Sequence, residues 1–179
     1  MHVLLWTPST PWFSIERDLG PPEFYQYTKE AWIAVLLFSV SLKTNVRGYR
    51  LWGLLFLFLM FDDAWKIHEN LGNFIASGLS FVPVSYLNLR ARDFGELASA
   101  ALTAIVFLPP LILNYVRGSS LYKKRNLPLL LLLGALAFFG VFVDILDRMM
   151  ELGRIEDGGE MVVMSLIAGY VFWLRETFD

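Results

Sequence analysis

The residues of this sequence that could carry chemistry are mostly carboxylates, accompanied by a single internal histidine. The candidate metal ligands are Asp62, Asp63, His68, Glu69, Glu96, Asp144, Asp147 and Glu160, with Glu151, Glu156 and Asp157 as secondary candidates. A cluster rich in oxygen with one imidazole would suit Ca²⁺, Mg²⁺, Mn²⁺ or a di-iron pair. A zinc site with several histidines is excluded, because the only other histidine is His2.

Apolar blocks lie between these residues and predict the elements that must position them. The hydrophobic fraction is 56%, against roughly 45–50% for an ordinary soluble domain. Each block reaches the roughly 20 residues of a spanning helix only when its polar flanks are included. We therefore predict an all-α integral membrane helical bundle with about five transmembrane helices, at 23–43, 48–71, 94–116, 127–152 and 157–175. Residues 1–22 are predicted to be an interfacial segment, and residues 23–179 a single transmembrane domain.

Two segments outside the predicted helices are also apolar. The N-terminus does not resemble a signal peptide, because Pro8 and Pro11 break its apolar run and no basic segment precedes it. Trp6 and Trp12 suit the membrane interface. Segment 73–92 is predicted to be the only long connection, lying on the membrane surface or dipping into it.

Lysine and arginine in the short loops predict the orientation of the chain. Basic residues concentrate at 43–50 and at 117–125, which a five-pass topology places on one side. That side is predicted to be cytoplasmic, with the N-terminus extracytoplasmic and the C-terminus cytoplasmic. Of the 17 acidic residues, only Glu176 and Asp179 then fall on the cytoplasmic side. A four-helix alternative, with the first helix at the interface, leaves the later orientation unchanged.

Two short patterns occur twice in the same order. F-x-D-x7-L-G is found at 61–72 and at 142–153, and D-x-G-E is found at 93–96 and at 157–160. We predict that helices 2–3 and 4–5 form a duplicated hairpin, related by an axis along the membrane normal. The equivalent acids would be Asp63 with Asp144, and Glu96 with Glu160. Chance agreement between apolar sequences is the alternative.

Helical spacing groups the acids further. One stripe contains Asp62, Lys66 and Glu69, and a second contains Asp144, Asp147 and Glu151. Facing stripes of this kind form carboxylate-bridged metal sites in helical bundles. The segment 156–160 could wrap a cation around its two glycines, or Asp157 could be a helix N-cap with Glu160 three residues later.

Three interpretations of the acidic cluster stay open. A carboxylate inside hydrocarbon costs on the order of 2.5–3.5 kcal/mol unless it is paired or hydrated. The acids therefore bind a divalent metal, or form structural ion pairs with Lys66 and Arg148 as charge partners, or conduct protons or cations. The functions that follow are a metal-dependent enzyme acting on a lipid-like substrate, a non-catalytic subunit or scaffold of a membrane complex, and a small cation or proton transporter.

Composition limits the partners. The net charge is −2 and no basic patch is present, which argues against nucleic acid. The absence of cysteine excludes disulfides and thiolate metal sites. The lipid bilayer is the predicted partner, together with a homo-oligomer or a larger membrane complex.

The segments DDAWKIHENLG, RDFGELA and IEDGGEMVVMSL resemble a group of uncharacterised bacterial multi-pass membrane proteins. That group has a D-D/E-x4-H-E segment and an E-D-G-G-E segment, and the resemblance covers helices two to five. It implies a location in the bacterial plasma membrane. It implies no reaction and no ligand assignment.

Overall fold

Helices form almost all of the described part of the chain. The computed structural model describes residues 20–85, 88–143, 145–146 and 155–178, with only the backbone at Glu156. The helices are α1 (Pro21–Thr44), α2 (Arg47–Trp65), α3 (Ile67–Gly78), α4 (Ala91–Arg117), α5 (Ser120–Ala137) and α6 (Ile155–Glu176), and a π-helix, Phe138–Val143, directly follows α5. Within these residues the only β pairing is an isolated bridge between Val84 and Leu89. The all-α prediction is confirmed.

Local sequence explains where two of these helices begin. Pro21 and Pro22 stand at the first positions of α1, where a missing N–H is least costly. The Ser119 side chain accepts a hydrogen bond of 3.2 Å from the Tyr122 backbone N–H and caps α5. The predicted start of this helix at residue 127 is therefore too late. The helix begins at Ser120, so it includes the basic residues that precede the apolar run.

The predicted single helix 48–71 is wrong, because the chain breaks at Lys66. That residue has φ 50° and ψ 43°, the left-handed conformation, and separates α2 from α3. The side chain of Asp62 stabilises the break, since its Oδ1 accepts a 2.7 Å hydrogen bond from the His68 backbone N–H. Helix α3 then continues to Gly78, so the predicted connection 73–92 is helical in its first part.

Three helices of the described chain are long and apolar enough to cross a membrane. They are Ala91–Arg117, Ser120–Val143 and Asp157–Glu176. Helix α1 contains polar and charged residues in its first half, and α2 has charged residues near both ends. The predicted count of five spans is thus supported for three helices. At about 1.5 Å per residue, the 12 residues of α3 extend only about 18 Å, short of the roughly 30 Å hydrocarbon layer.

Helix α1 lies at the centre of the packing, against α2 on one side and α6 on the other. Its residues Ile33, Leu37 and Val40 are completely buried, as are Phe56 of α2 and Val171 of α6. Helix α3 packs against α4, and α5 packs against α6. The core therefore joins the first two helices to the last one, and this brings residues from both ends of the chain to one end of the bundle.

Two glycines set the distance between α3 and α4. A Cβ atom on Gly95 would collide with the carbonyl oxygen of Gly72, and a Cβ on Gly72 would lie 2.7 Å from the backbone nitrogen of Glu96. Only residues without a side chain allow this approach. Both glycines belong to the repeated sequence patterns, and their contact brings Glu96 next to α3.

The second copy of the predicted repeat lies partly outside the described residues. These residues do not include Asp144 or the stretch 147–154, which contains Asp147, Arg148 and Glu151. Gly159, the counterpart of Gly95, is described and lies against the ring of Phe139. The duplication stays a prediction.

Candidate functional site

A cavity of about 270 Å³ opens at the end of the bundle where the acidic residues gather. Its walls come from α1, the α2–α3 break, the start of α4 and the start of α6. The lining residues are Pro22, Glu23, Gln26, Tyr27, Asp63, Lys66, His68, Glu69, Arg92, Glu96, Asp157, Glu160 and Met161. Six of these carry a carboxylate, so the cavity is strongly acidic.

The closest group of potential ligands lies at the helix break. Asp62, Asp63 and His68 each offer one donor atom, and these atoms all lie within 4.8 Å of one another. A cation that binds oxygen at about 2.0–2.6 Å fits between atoms at such separations. The left-handed turn at Lys66 produces this grouping, because it turns the chain back so that His68 faces the preceding acids.

Asp62 also fixes the histidine. The Nδ1 atom of His68 lies 3.3 Å from Asp62 Oδ2, while the backbone N–H of His68 binds the other carboxylate oxygen. The hydrogen bond from Asp62 raises the pKa of His68 above its ordinary value, against the opposing effect of burial, and the charges of Asp62, Asp63 and Glu69 act in the same direction as the bond. A carboxylate held against one ring nitrogen is how proteins orient a histidine ligand.

A second carboxylate pair lies beside the cluster. Glu30 of α1 is only 1% exposed, and its carboxyl is hydrogen-bonded to that of Asp63. Glu30 therefore connects the buried interior of α1 to an acid that lines the cavity.

Sequence reasoning missed the contribution of α1. Glu23, Tyr27 and Glu30 follow the spacing i, i+4, i+7, so they share one helix face. The Tyr27 hydroxyl donates to Glu23 Oε2 at 2.9 Å, and both residues line the cavity. The same stripe argument that singled out Asp62 would have identified this face.

Salt bridges surround the cavity and compensate part of its charge. Lys66 Nζ lies 3.4 Å from Glu69 Oε1, and Arg92 Nε lies 3.3 Å from Glu96 Oε1. Asp93 pairs with Arg90 at 2.9 Å and is the N3 residue of a capping box, because α4 begins at Ala91. Asp157 is likewise inside α6, which begins at Ile155, so the predicted N-cap role of Asp157 is wrong.

The structure brings most of the described candidate residues together. Around the cavity lie Asp63, Lys66, His68, Glu69, Glu96, Asp157 and Glu160, with Asp62 bonded to His68 just behind. The candidates Asp144, Asp147 and Glu151, the charge partner Arg148 and the side chain of Glu156 lie outside the described residues. Chemically, the arrangement offers hard oxygen donors and one imidazole at a single, partly open position.

The fold and the cavity define an all-helical protein with apolar helices compatible with membrane insertion and an acidic cluster at one end. A family model described as domain of unknown function DUF8692 matches residues 11–174. The chain belongs to this family, which confirms the resemblance to an uncharacterised family with no known activity. No curated protein and no solved structure matches the chain.

Proposed function

We propose that this protein is a five-pass integral membrane protein that binds a divalent cation at Asp62, Asp63 and His68. The observation that carries the proposal is the grouping of three donor atoms within 4.8 Å at the edge of an acidic cavity. The proposed function is therefore that of a membrane-embedded metal site. Any reaction at this site, such as one on a lipid-like substrate, depends on the bound cation.

The burial of polar residues supports α1 as a further span. Lys29 and Glu30 lower its hydropathy, yet they are 6% and 1% exposed and face the bundle interior. Between Lys29 and Leu42, the exposed residues of α1 are the large apolar side chains of Trp32, Val35 and Leu42. A helix that directs its charges inward and its apolar side chains outward suits lipid.

The same reasoning applies to α2. Asp62 is 8% exposed and lies in the last turn, while Leu54 presents an apolar surface. Spans at α1, α2, α4, α5 with its π-helical extension, and α6 give an odd number of crossings. The distribution of lysine and arginine then favours an extracytoplasmic N-terminus and a cytoplasmic C-terminus. A bacterial plasma membrane is the proposed location.

Topology can be tested cleanly because the chain contains no cysteine. Ser77→Cys lies on the proposed extracytoplasmic side, and Ser120→Cys on the cytoplasmic side, and both positions are exposed. We expect a membrane-impermeant maleimide to label only the Ser77→Cys protein in intact cells, and both proteins after permeabilisation. Labelling of both in intact cells would contradict five spans.

The apolar interior supports a bound cation over a transported one. On α1 the buried residues from Ile33 to Val40 are all apolar, and on α2 the same holds from Trp52 to Phe56. A conduction path needs polar groups or water along its length. The acidic cluster therefore resembles a cation-binding site at one end of the bundle rather than the entrance of a conduction path.

Metal analysis tests the proposal directly. The protein is purified in detergent, stripped with EDTA, and titrated with Mn²⁺ while bound metal is measured. We expect stoichiometric binding, competition by other divalent ions, and loss of binding in Asp63→Asn. Glu176→Gln, an exposed acid at the opposite end of α6, is the matched control and should bind as the wild type does. If the wild type binds Mn²⁺ no more tightly than Asp63→Asn does, the proposed site is refuted.

A further inference from the structure

Glu30 carries an oxygen that the fold leaves unsatisfied. Its Oε2 atom is buried and has no hydrogen-bond partner among the described residues. The residue as a whole is 1% exposed, so water does not reach it freely. Buried carboxylates are normally paired, hydrogen-bonded or bound to a metal. The carboxyl bonds to Asp63, which directs it towards the candidate cation site.

Lys29, the basic residue next to Glu30 in the sequence, forms its hydrogen bonds with α6. Lys29 Nζ donates to the backbone oxygen of Met161 at 2.9 Å and lies 3.3 Å from Ser165 Oγ, which ties α1 to α6. The positive charge of Lys29 still acts on Glu30, but the negative charges of Asp63 and Glu160 act on it in the opposite direction and rank above that of Lys29. Negative charge thus accumulates at a buried position, where a divalent cation would offset it.

We propose that Glu30 is a further ligand of the cation bound at Asp62, Asp63 and His68. This inference rests on the proposed metal site. The completed set has three carboxylates and one imidazole, contributed by α1, by the end of α2 and by the start of α3. Such a mixed set of mainly oxygen with one nitrogen suits Mn²⁺ or Fe²⁺. The cation would then link α1 to the α2–α3 break.

The test compares Glu30→Gln with wild type by Mn²⁺ titration of the full-length, EDTA-stripped protein. Glutamine keeps the size and a hydrogen-bond donor towards Asp63, but removes the anionic ligand. We expect Mn²⁺ affinity to fall by at least about tenfold, the lower end of losses around metal sites. The metal-free variant should unfold at the same or a higher temperature than metal-free wild type, because no buried acid remains at this position. Glu176→Gln, an exposed acid at the opposite end of α6, is the control and should bind Mn²⁺ as the wild type does.

A second measurement uses wild-type protein, so that it does not depend on the variant folding. A hydrophobic carbodiimide labels buried protonated carboxyl groups, and peptide mass analysis locates the label. We expect labelling at Glu30 in EDTA and loss of most of that labelling in saturating Mn²⁺.

The outcomes separate the two proposals. Unchanged Mn²⁺ affinity in Glu30→Gln, or unprotected labelling of Glu30, overturns Glu30 as a ligand while Asp63→Asn still tests the site itself. Failure of the wild type to bind Mn²⁺ overturns the proposed function and this inference together. Loss of affinity in Glu30→Gln with protection of Glu30 in wild type supports the four-residue site.

Discussion

The carboxylate of Asp62 holds both the backbone and the ring of His68. Its Oδ1 accepts the His68 N–H at 2.7 Å, and its Oδ2 lies 3.3 Å from the imidazole Nδ1. The first contact satisfies an orphan N–H at the start of α3, as a helix cap does. The second contact orients the ring. One side chain therefore joins the formation of the α2–α3 break to the geometry of the candidate ligands.

Removal of that cap should destabilise the metal-free protein. Asp62→Ala leaves the His68 N–H without its partner, and we expect the free energy of unfolding to fall by about 0.5–2 kcal/mol. Asp62→Asn retains an acceptor and should recover most of this loss. Thermal unfolding in detergent with EDTA measures both. Equal destabilisation by the two variants would show that the charge of Asp62 matters more than the cap.

The stability of the metal-free protein should depend on pH through His68. Because the Asp62 hydrogen bond raises the folded-state pKa of His68, protonation stabilises the folded protein. The contribution is complete below the unfolded pKa of about 6.5, and it is lost as pH rises through the higher folded value. The apparent unfolding temperature in EDTA should therefore decrease across this window. His68→Gln should remove this part of the pH dependence, and an identical profile in the variant would assign it to the neighbouring acids.

The contact between α3 and α4 should not tolerate a side chain. Gly95→Ala places a Cβ against the carbonyl oxygen of Gly72, and we expect a loss of about 1–3 kcal/mol from overpacking. The displacement would also move Glu96 away from the cavity. Gly134→Ala in α5 is the control, since no atom lies within 4 Å of its added Cβ. It should change stability by about 1 kcal/mol or less. Similar unfolding temperatures for the two variants would contradict the close helix contact.

The predicted repeat implies that Asp144, which lies outside the described residues, contributes to cation binding. If Asp144 is the counterpart of Asp63, it lies equally deep in the bundle and belongs to the same acidic end. We expect Asp144→Asn to weaken Mn²⁺ binding by at least about tenfold, as loss of a supporting group does around metal sites. Wild-type affinity in this variant would argue for chance agreement between the two sequence patterns.

The sequence predicts the gathering of the acids better than it predicts their geometry. Residues as distant as Asp63 and Glu160 lie at one cavity, because alternating helix directions return the chain to the same end. The break at Lys66 was not predicted, since a left-handed lysine is uncommon and no glycine marks the position.

Glu30 was missed for a different reason. A single acid beside Lys29 in an apolar helix resembles an ordinary ion pair, and which face of α1 is buried depends on the packing of α2 and α6. Periodicity can place Glu30 on a stripe with Glu23 and Tyr27. Only the three-dimensional packing shows that this stripe points into the acidic end of the bundle.

The glycine contact between Gly72 and Gly95 has a practical consequence for the chain that joins the two helices. Because the helices meet directly at these residues, the connection from Leu79 to Arg90 does not have to hold them in place. Its Val82 is 74% exposed. An epitope tag or a small reporter domain inserted there should be accepted, as exposed loop tips generally allow. Such an insertion would mark the α3–α4 end of the bundle without disturbing the nearby acids.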